Sequence, residues 1–253
     1  MNPAFTDAII SSFYNEKYYT GKNEYSYTDE REIRRSAKFV FDKRIKNIRK
    51  YAKDGNFLDI GTSFGGLMHS ASPFFDVYGI EISKYSGKIA ADYSGGFVHI
   101  GTIENNPFKA NFFSVITMIE LIEHLKNPKK AIEICYKLLK PTGLLVVQTA
   151  NMEGLQAKKL KADYNYFLPG HLSYFSKRNL VQLLKEVGFD YVKVYHPVEF
   201  GLLPKIRKSI TSFKKFTDYF YIIKIFWYHL KSKIAVGNFC LTSSMVVYAV
   251  KKK

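Results

Sequence analysis

The residues best suited to hold a polar ligand lie in one glycine-rich turn at 58–66, with the sequence LDIGTSFGG. An apolar strand is expected to end at Asp59, and Gly61, Gly65 and Gly66 then lead into a helix. Glycine tolerates positive φ angles and, without a Cβ atom, lets a ligand approach the backbone. The first N–H groups of the helix are unpaired and carry a partial positive charge. The pattern predicts a ligand site, although a plain strand-to-helix connection would use the same glycines.

A carboxylate suited to the same ligand is Glu81, which ends the next predicted strand 20 residues after Gly61. In doubly wound sheets an acid at this point accepts hydrogen bonds from both hydroxyls of a ribose. The spacing alone also fits an enzyme that binds a dinucleotide.

The run DIGTSFG at 59–65 resembles the first motif of the class I S-adenosylmethionine-dependent methyltransferases. Four more segments follow in that family's order, at 78–83 (YGIEIS), 99–108 (HIGTIENNPF), 119–151 (beginning IELIEHLKNP) and 170–194 (beginning GHLSYFSKRN). Together they resemble the bacterial branch that includes the ubiquinone-pathway O-methyltransferases and many sugar or cell-envelope methyltransferases. The resemblance covers residues 55–195, with a return at 237–250.

The resemblance implies that S-adenosylmethionine is the cofactor and leaves as S-adenosylhomocysteine. Asp59 and Gly61 would lie beside its methionyl part, Gly65 would close the turn, and Glu81 would hold the ribose. The predicted cofactor-binding residues are Asp59, Gly61, Thr62, Ser63, Phe64, Gly65, Glu81, Ile82, Ile103, Glu104, Met118 and Ile119.

The resemblance also implies how the rest of the cofactor is held. Ile82 would pack on the adenine, which Ile103 or Glu104 would flank. Met118 and Ile119, at the end of the fourth strand, would line the floor below the sulfonium.

Three positions depart from the usual pattern of the family. Ser63 replaces a common glycine, Thr102 stands where an aspartate often meets the adenine amine, and Ser114 replaces a frequent aspartate that opens the fourth strand. The adenine contact is then expected to pass to Glu104 or to be lost.

His124 and His171 are the candidate catalytic residues, because an oxygen or nitrogen acceptor can need a base near neutral pH. Otherwise methyl transfer needs mainly alignment and the exclusion of water. Both histidines follow predicted strands, so they are expected at the carboxyl edge of the sheet. Each could instead be structural. Together with Glu120 and Glu123 they could also converge on a metal ion, but their spacing is not diagnostic, and no metal is predicted.

A basic and aromatic segment at 205–233 precedes the last predicted strand and holds eight Lys or Arg residues against one acid, Asp218. Its apolar side chains recur at helical spacing. The stripe consists of Phe213, Phe216, Phe220, Ile223, Trp227, Leu230 and Ile234, widened by Tyr219 and Phe226. Such a helix can lie in a membrane interface, so we predict contact with an anionic membrane surface. A helical cap on the domain or on a second subunit, and contact with nucleic acid, are the alternatives.

The elements that must position these residues alternate between apolar strands and amphipathic helices. Strands are predicted at 56–60, 76–82, 97–100, 114–119, 144–149, 190–195 and 245–250, and helices at 29–53, 66–74, 84–93, 129–139 and 177–187. This alternation predicts an α/β, doubly wound, mostly parallel sheet with helices on both faces. The resemblance adds that the last of these seven strands runs antiparallel to the others.

We predict a single methyltransferase domain over residues 1–253. It comprises an N-terminal helical, Tyr-rich cap at 1–54, a cofactor-binding core at 55–195 and the basic aromatic insertion at 201–236. The Tyr-rich start at 1–28 could act as a lid over the ligands.

The composition favours a cytoplasmic protein, with peripheral contact at the inner membrane surface as an option. The two cysteines, Cys135 and Cys240, are far apart and read as reduced, and neither a signal peptide nor a membrane-spanning run is visible. The net charge of +16 suits an anionic partner, or simply a solvated lysine surface.

The predicted function is O-methylation of a small-molecule acceptor, namely a sugar, a lipid-linked sugar or a quinone-like compound. The charge suggests an RNA or DNA methyltransferase as a rival. However, residues 118–121 lack the Pro-Pro-aromatic pattern of base-amino methyltransferases, and neither cysteine lies in a Pro-Cys motif. A non-catalytic cofactor-binding scaffold is the second rival. The sequence leaves the oligomeric state open.

Overall fold

In a computed structural model of the chain, the described residues are 34–164, 166–168, 170–196 and 219–253, together with positions 206 and 215. The Tyr-rich start at 1–28, predicted as a lid, lies outside them, as does most of the basic segment before residue 219. The division of the whole chain into cap, core and insertion therefore stays a prediction.

The strands of the described residues are β1 (Asn56–Ile60), β2 (Asp76–Glu81), β3 (Phe97–Ile100), β4 (Phe113–Ile119), β5 (Leu139–Ala150), β6 (Phe189–Tyr195), β7 (Ala235–Val236), β8 (Phe239–Cys240) and β9 (Ser244–Lys251). Seven of them form one sheet in the order β3-β2-β1-β4-β5-β9-β6, while β7 and β8 pair as a separate hairpin. Within the seven-stranded sheet, β9 runs antiparallel to both of its neighbours and the other pairs are parallel. The predicted doubly wound sheet with an antiparallel last strand is confirmed.

The helices of the described residues are α1 (Arg34–Ile48), α2 (Gly66–Ala71), α3 (Lys84–Ser94), α4 (Pro128–Leu138), α5 (Leu155–Leu160), α6 (Lys177–Val187) and α7 (Tyr221–Lys233). Short 3-10 turns lie at Ile103–Asn105, Ile122–His124 and Lys161–Asp163.

Two apolar clusters hold helices against opposite faces of the sheet. Leu58 and Ile116 belong to the cluster that includes α4 and α6, whereas their neighbours Phe57 and Val115 belong to the cluster that includes α1 and α2. Successive strand residues point to opposite faces, so the continuous apolar runs of β1 and β4 supply both cores. Each such side chain, fully buried, contributes about 1.5–3 kcal/mol, and the two-sided burial fixes the carboxyl edge at which ligands bind in such sheets.

β5 is longer than predicted, because it starts at Leu139 instead of residue 144. Leu139 pairs with Phe113 and Leu144 pairs with Val115, so β5 carries extra residues against β4 at this point. These extra residues are largely exposed, and an exposed stretch escapes a search for apolar runs. The predicted helix at 66–74 ends at Ala71, and the one predicted at 29–53 is described over Arg34–Ile48.

α5 and the β7–β8 hairpin were not predicted. Six helical residues and two-residue strands are too short to show a readable period.

The basic aromatic segment is helical over α7, but the part of its aromatic stripe within the described residues does not enter the core. Ile223 and Trp227 are 54% and 53% exposed, whereas His229 is buried. No described helix combines the length and the apolar character needed to cross a membrane.

Candidate active site

The glycine-rich turn follows the carboxyl end of β1 and is held from two sides. The Gly61 N–H donates to the carbonyl oxygen of Ile80 on β2 over 2.8 Å. Gly61 has a φ of 74°, and a Cβ atom added there would lie 3.1 Å from Leu121 Cδ1 in the loop after β4. A glycine is therefore needed both for the left-handed backbone and for the close approach of that loop.

Gly65 serves the packing of helices, a role that the sequence did not indicate. It has a φ of 77°, and an added Cβ would lie 2.8 Å from Ala90 Cα on α3. Ser63 also adopts a left-handed backbone, with a φ of 49°, which costs a non-glycine residue about 1–2 kcal/mol. The family usually has glycine at this position, so Ser63 keeps the left-handed backbone of that glycine at the cost of this strain.

The carboxylate of Glu81 ties the turn to the loop after β2. Its Oε2 accepts from the Ser63 N–H over 2.9 Å and its Oε1 accepts from the Ser83 N–H over 3.0 Å. The side chain is only 3% exposed. Each carboxylate oxygen can accept more than one hydrogen bond, so this anchored carboxylate can also receive ribose hydroxyls.

Asp59 is anchored as well, by a residue that sequence reasoning missed. The Thr117 hydroxyl on β4 donates to Asp59 Oδ1 over 2.5 Å, and both side chains are buried. A threonine within the apolar run SVITMI of β4 was the available signal, because a buried hydroxyl needs a partner.

The residues expected around the adenine differ in how accessible they are. Ile82 and Glu104 are exposed, whereas Ile103 lies within the apolar core. Thr102, which stands where the family often has aspartate, caps the turn that begins at Ile103, and its N–H donates to Asn105 Oδ1 over 2.8 Å. Ile82 and Glu104 are thus better placed to meet a ligand than Ile103.

The two candidate catalytic histidines lie side by side. The carbonyl oxygen of Glu123 accepts from the N–H groups of Leu172 and Ser173 over 2.8 and 3.0 Å, which joins the loop after β4 to the loop that contains His171. The rings of His124 and His171 meet edge to face with their centroids 4.6 Å apart. Two loops that are distant in sequence therefore build one cluster.

Backbone carbonyls set the tautomers of both rings. His171 Nδ1 lies 2.7 Å from the Tyr166 carbonyl oxygen, and His124 Nδ1 lies 3.0 Å from that of Gly170. A carbonyl only accepts, so each Nδ1 is assigned as the donor, and Nε2 is the basic atom of the neutral ring.

Both histidines are held neutral near pH 7. Burial and then the neighbouring His171 lower the pKa of His124 to about 4. Burial also lowers the pKa of His171, against the opposing effects of the Tyr166 carbonyl and Glu120.

The family of the chain follows from its match to a methyltransferase domain model over residues 29–194. The chain belongs to the class I S-adenosylmethionine-dependent methyltransferases. A methyltransferase from Thermotoga maritima, described as S-adenosylmethionine-dependent and as a possible histamine N-methyltransferase, shares the fold with a TM-score of 0.58. It is 21% identical, and the match covers 88% of this chain and 95% of that one.

Two curated relatives match much of the methyltransferase. An uncharacterized protein of Methanocaldococcus jannaschii is 28% identical over 71% of this chain and 83% of its own length. A ubiquinone biosynthesis O-methyltransferase of Psychrobacter cryohalolentis is 31% identical over 56% of this chain. The match spans about half, 54%, of the length of that O-methyltransferase.

Glu123 is the least satisfied group of the methyltransferase's histidine cluster. Neither of its carboxylate oxygens makes a hydrogen bond of ordinary geometry among the described residues, although the side chain is buried and the side chains of Glu120 and Thr149 lie close to it. Burial, and then the nearby charge of Glu120, raise its pKa well above the ordinary value. Ligand atoms of Glu123, His124 and His171 lie within 4.8 Å of one another, so the cluster could hold a proton or a divalent cation.

A chain of side-chain hydrogen bonds links α1 to Glu120, whose charge acts on the same cluster. Arg44 of α1 donates to Gln148 Oε1 on β5, and Gln148 Nε2 donates to Glu120 Oε1 over 2.5 Å. Glu120 has a left-handed backbone with a φ of 50°, and its N–H donates to the Gln148 carbonyl oxygen over 2.9 Å. Sequence reasoning missed Arg44 and Gln148. The signal in the sequence was an arginine on the apolar stripe of the helix predicted at 29–53, because an arginine on a face that becomes buried needs a partner.

Most of the predicted site residues follow the carboxyl ends of neighbouring strands, as expected. Phe64 and Met118 are fully buried. Of the two predicted residues at the end of β4, Met118 and Ile119, only Ile119 is partly accessible. Which of these residues touch the cofactor stays a prediction.

Proposed function

We propose that this methyltransferase transfers the methyl group of S-adenosylmethionine to a hydroxyl oxygen of a small acceptor, with His171 as the base. The acceptor oxygen attacks the methyl carbon as the carbon–sulfur bond breaks. His171 Nε2 takes the hydroxyl proton, and S-adenosylhomocysteine leaves as a neutral thioether. The favoured acceptor is a sugar, a lipid-linked sugar or a quinone-like compound.

The observation that carries this proposal is the pair of neutral histidines at the carboxyl edge of the sheet. A sulfonium is already activated, so the enzyme has to supply alignment, a dry site and removal of the proton. His171 has its Nδ1 committed to the Tyr166 carbonyl and is 7% exposed, which supports a fixed base in a dry site. His124 packs against it edge to face, which supports a positioning role for His124.

The carboxyls beside the histidines bear on the kind of acceptor. Burial, and then the charge of Glu120, raise the pKa values of Glu123 and Tyr166, so this charge acts on more than one group of the cluster. An anionic acceptor would be repelled there, whereas a neutral polyol or quinol could donate a second hydroxyl to a carboxylate. This favours a neutral acceptor with neighbouring hydroxyls.

Glu81 and the turn at 61–65 are proposed to hold the cofactor. Because Glu81 is already anchored by Ser63 and Ser83, its oxygens are oriented before a ligand arrives, which supports a role in binding the ribose. Asp59 is proposed to lie at the methionyl end.

The experiment is methyl transfer from labelled S-adenosylmethionine by the full chain, with product analysis. Acceptors would include neutral sugars, polyprenyl-linked sugars, catechols and quinols, with amines and RNA as controls. We expect labelled ethers from at least one class of hydroxyl acceptor, with equimolar S-adenosylhomocysteine. Label in amines or RNA alone would refute O-methylation, and binding of the cofactor without any transfer would favour a scaffold.

A metal arm of the same experiment tests the alternative use of the cluster. Glu123, His124 and His171 could hold a divalent cation that polarises the acceptor hydroxyl. Turnover that survives EDTA supports His171 as the base. Turnover that EDTA abolishes and Mg²⁺ or Zn²⁺ restores would replace the histidine base with a metal.

A further inference from the structure

The surface of α7 and of the hairpin that follows it exposes an unusual amount of apolar side chain. Phe220 is 63% exposed, Trp227 53% and Val236 75%. Ile223, Phe226 and Leu230 are exposed beside them. Scattered apolar residues on a surface are ordinary, but a contiguous patch marks a site of interaction.

The charges of this surface have a single sign. Residues 219–236 contain Lys224, Lys231 and Lys233 and no acid, and all three lysines are exposed. Lysine is depleted from protein–protein interfaces. Three lysines around an aromatic patch are therefore a poor fit to a protein partner and a good fit to a surface of phosphates.

A second segment continues the surface. Lys158 of α5 places its Nζ 5.3 Å from the centre of the Phe239 ring in the hairpin, and the Ser243 hydroxyl donates to Gln156 Oε1 on α5. α5 and the chain after it expose Leu155 and Leu160, together with the lysines Lys158, Lys159 and Lys161. We call residues 155–161 and 219–236 together the basic aromatic face.

The basic aromatic face lies beside the histidine cluster. Tyr166, whose carbonyl accepts from His171, has its ring centroid 5.4 Å from that of Tyr164. The Tyr164 hydroxyl donates to the carbonyl oxygen of Ser243, whose own hydroxyl donates to Gln156 on α5. Phe167 and Leu168, next to Tyr166, are exposed as well. A body resting on this face would therefore lie next to the proposed acceptor site.

We propose that the basic aromatic face docks on the surface of an anionic lipid bilayer. The aromatic rings would enter the boundary between headgroups and acyl chains, where Trp and Tyr are favoured. The lysines would lie over lipid phosphates and add an attraction that salt weakens. α7 has 13 residues, fewer than the ~20 needed to span a bilayer, so it rests on the membrane. The docking stands whether or not the acceptor is a lipid.

The chain carries its own probe, because Trp227 is its single tryptophan. The full chain would be mixed with phosphatidylcholine vesicles, with vesicles that also contain phosphatidylglycerol, and with the latter in brominated form. Sedimentation measures binding, and the emission of Trp227 measures insertion. We expect binding to the anionic vesicles with a blue shift and quenching by bromine. Little binding is expected to phosphatidylcholine, or at 1 M salt, where screening acts within about 3 Å.

Two charge variants provide the matched comparison. The triple variant Lys224→Glu, Lys231→Glu and Lys233→Glu should lower the affinity for anionic vesicles at least tenfold. The control variant Lys88→Glu, Lys137→Glu and Lys185→Glu makes the same change of net charge at exposed positions on α3, α4 and α6. It should keep most of the affinity and the full blue shift.

Three outcomes would overturn the proposal. The first is equal loss of affinity in both charge variants, which would mean attraction by net charge alone. The second is a blue shift of Trp227 emission that appears without vesicles as the protein concentration rises, together with a Phe220→Ser variant that forms smaller oligomers than the wild type. The face would then be a contact between copies. The third is a shift with RNA but not with vesicles, which would make the face a nucleic-acid surface.

Discussion

The two parts of the carboxyl edge of the sheet differ in how far their buried acids are hydrogen-bonded by the chain itself. On the side proposed to hold the cofactor, the acids Asp59 and Glu81 are already hydrogen-bonded by Thr117, Ser63 and Ser83. On the side proposed for the acceptor, the Glu123 carboxylate makes no hydrogen bond of ordinary geometry among the described residues, and the neighbouring histidines are kept neutral by burial. A side whose carboxylates are already held by its own chain can hold one ligand in a fixed pose, and the buried hydroxyls of Thr62 and Ser63, which have no hydrogen-bond partner among the described residues, are available to that ligand. A side with an unsatisfied buried carboxyl awaits a proton, an ion or an acceptor.

The sharpest way to test this contrast is to remove the proposed base. His171→Ala should lower turnover by about 10²–10⁴-fold, the scale for a positioned acid or base, while the dissociation constant for S-adenosylmethionine changes less than twofold. Single-turnover methyl transfer and calorimetry measure the two quantities.

The pH profile of the wild type sharpens the same prediction. Because burial lowers the pKa of His171, the base is neutral above that value, so turnover should rise with pH only below the ordinary pKa of about 6.5 and be flat above it. An acid limb that persists unchanged in His171→Ala would assign the base elsewhere.

The next largest effect is expected from the turn. Gly61→Val should weaken cofactor binding more than any side-chain truncation in the site, because valine would strain the left-handed backbone and push against Leu121. Gly95→Val is the matched control, since Gly95 has a similar φ of 71° but open space around an added Cβ. Equal affinity loss in both variants would show general destabilisation instead of a binding turn.

A smaller loss of affinity is expected at the ribose. Glu81→Ala should weaken the binding of S-adenosylmethionine by about 1–3 kcal/mol, or roughly 5- to 150-fold, because polar partners are left unpaired. Calorimetry with the folded variant gives the number. Unchanged affinity would remove Glu81 from the ribose role.

The smallest change concerns stability and its dependence on pH. The raised pKa of Glu123 means that the folded chain keeps a proton that the unfolded chain releases near pH 4.3. Its contribution to stability is complete below that pH and is lost as the pH rises towards the folded pKa. Glu123→Gln should therefore lose less free energy of unfolding than the wild type as the pH rises above about 4. Urea titrations across pH measure this, with the exposed Glu133→Gln as control, and parallel curves for wild type and Glu123→Gln would contradict it.

The same contrast explains what the sequence could predict. The turn at 58–66 and Glu81 form a local pattern whose spacing follows from the α/β architecture, so the sequence could predict the doubly wound sheet and a candidate ligand turn at its edge. The acceptor side depends on contacts between distant segments, such as Arg44 with Gln148 and Glu123 with Leu172. No local pattern encodes such contacts.

Other features were hidden for local reasons. The need for glycine at 65 comes from the backbone of α3, and short elements such as α5 carry too few residues for a period to show. The spacing of the aromatic residues predicted the helix α7. It could not predict that these residues are exposed, because the same spacing occurs on buried and on exposed helix faces.

Calorimetry of S-adenosylmethionine without any acceptor, in the wild type and in His171→Ala, tests the central claim most directly. If the proposed cofactor side is complete by itself, both chains bind the cofactor at one site with dissociation constants within twofold of each other, and they differ in turnover, by about 10²–10⁴-fold, only once an acceptor is added. Two results would contradict the claim that cofactor binding is independent of the acceptor side. One is a wild type that fails to bind S-adenosylmethionine without an acceptor, and the other is a His171→Ala chain that binds it at least tenfold more weakly.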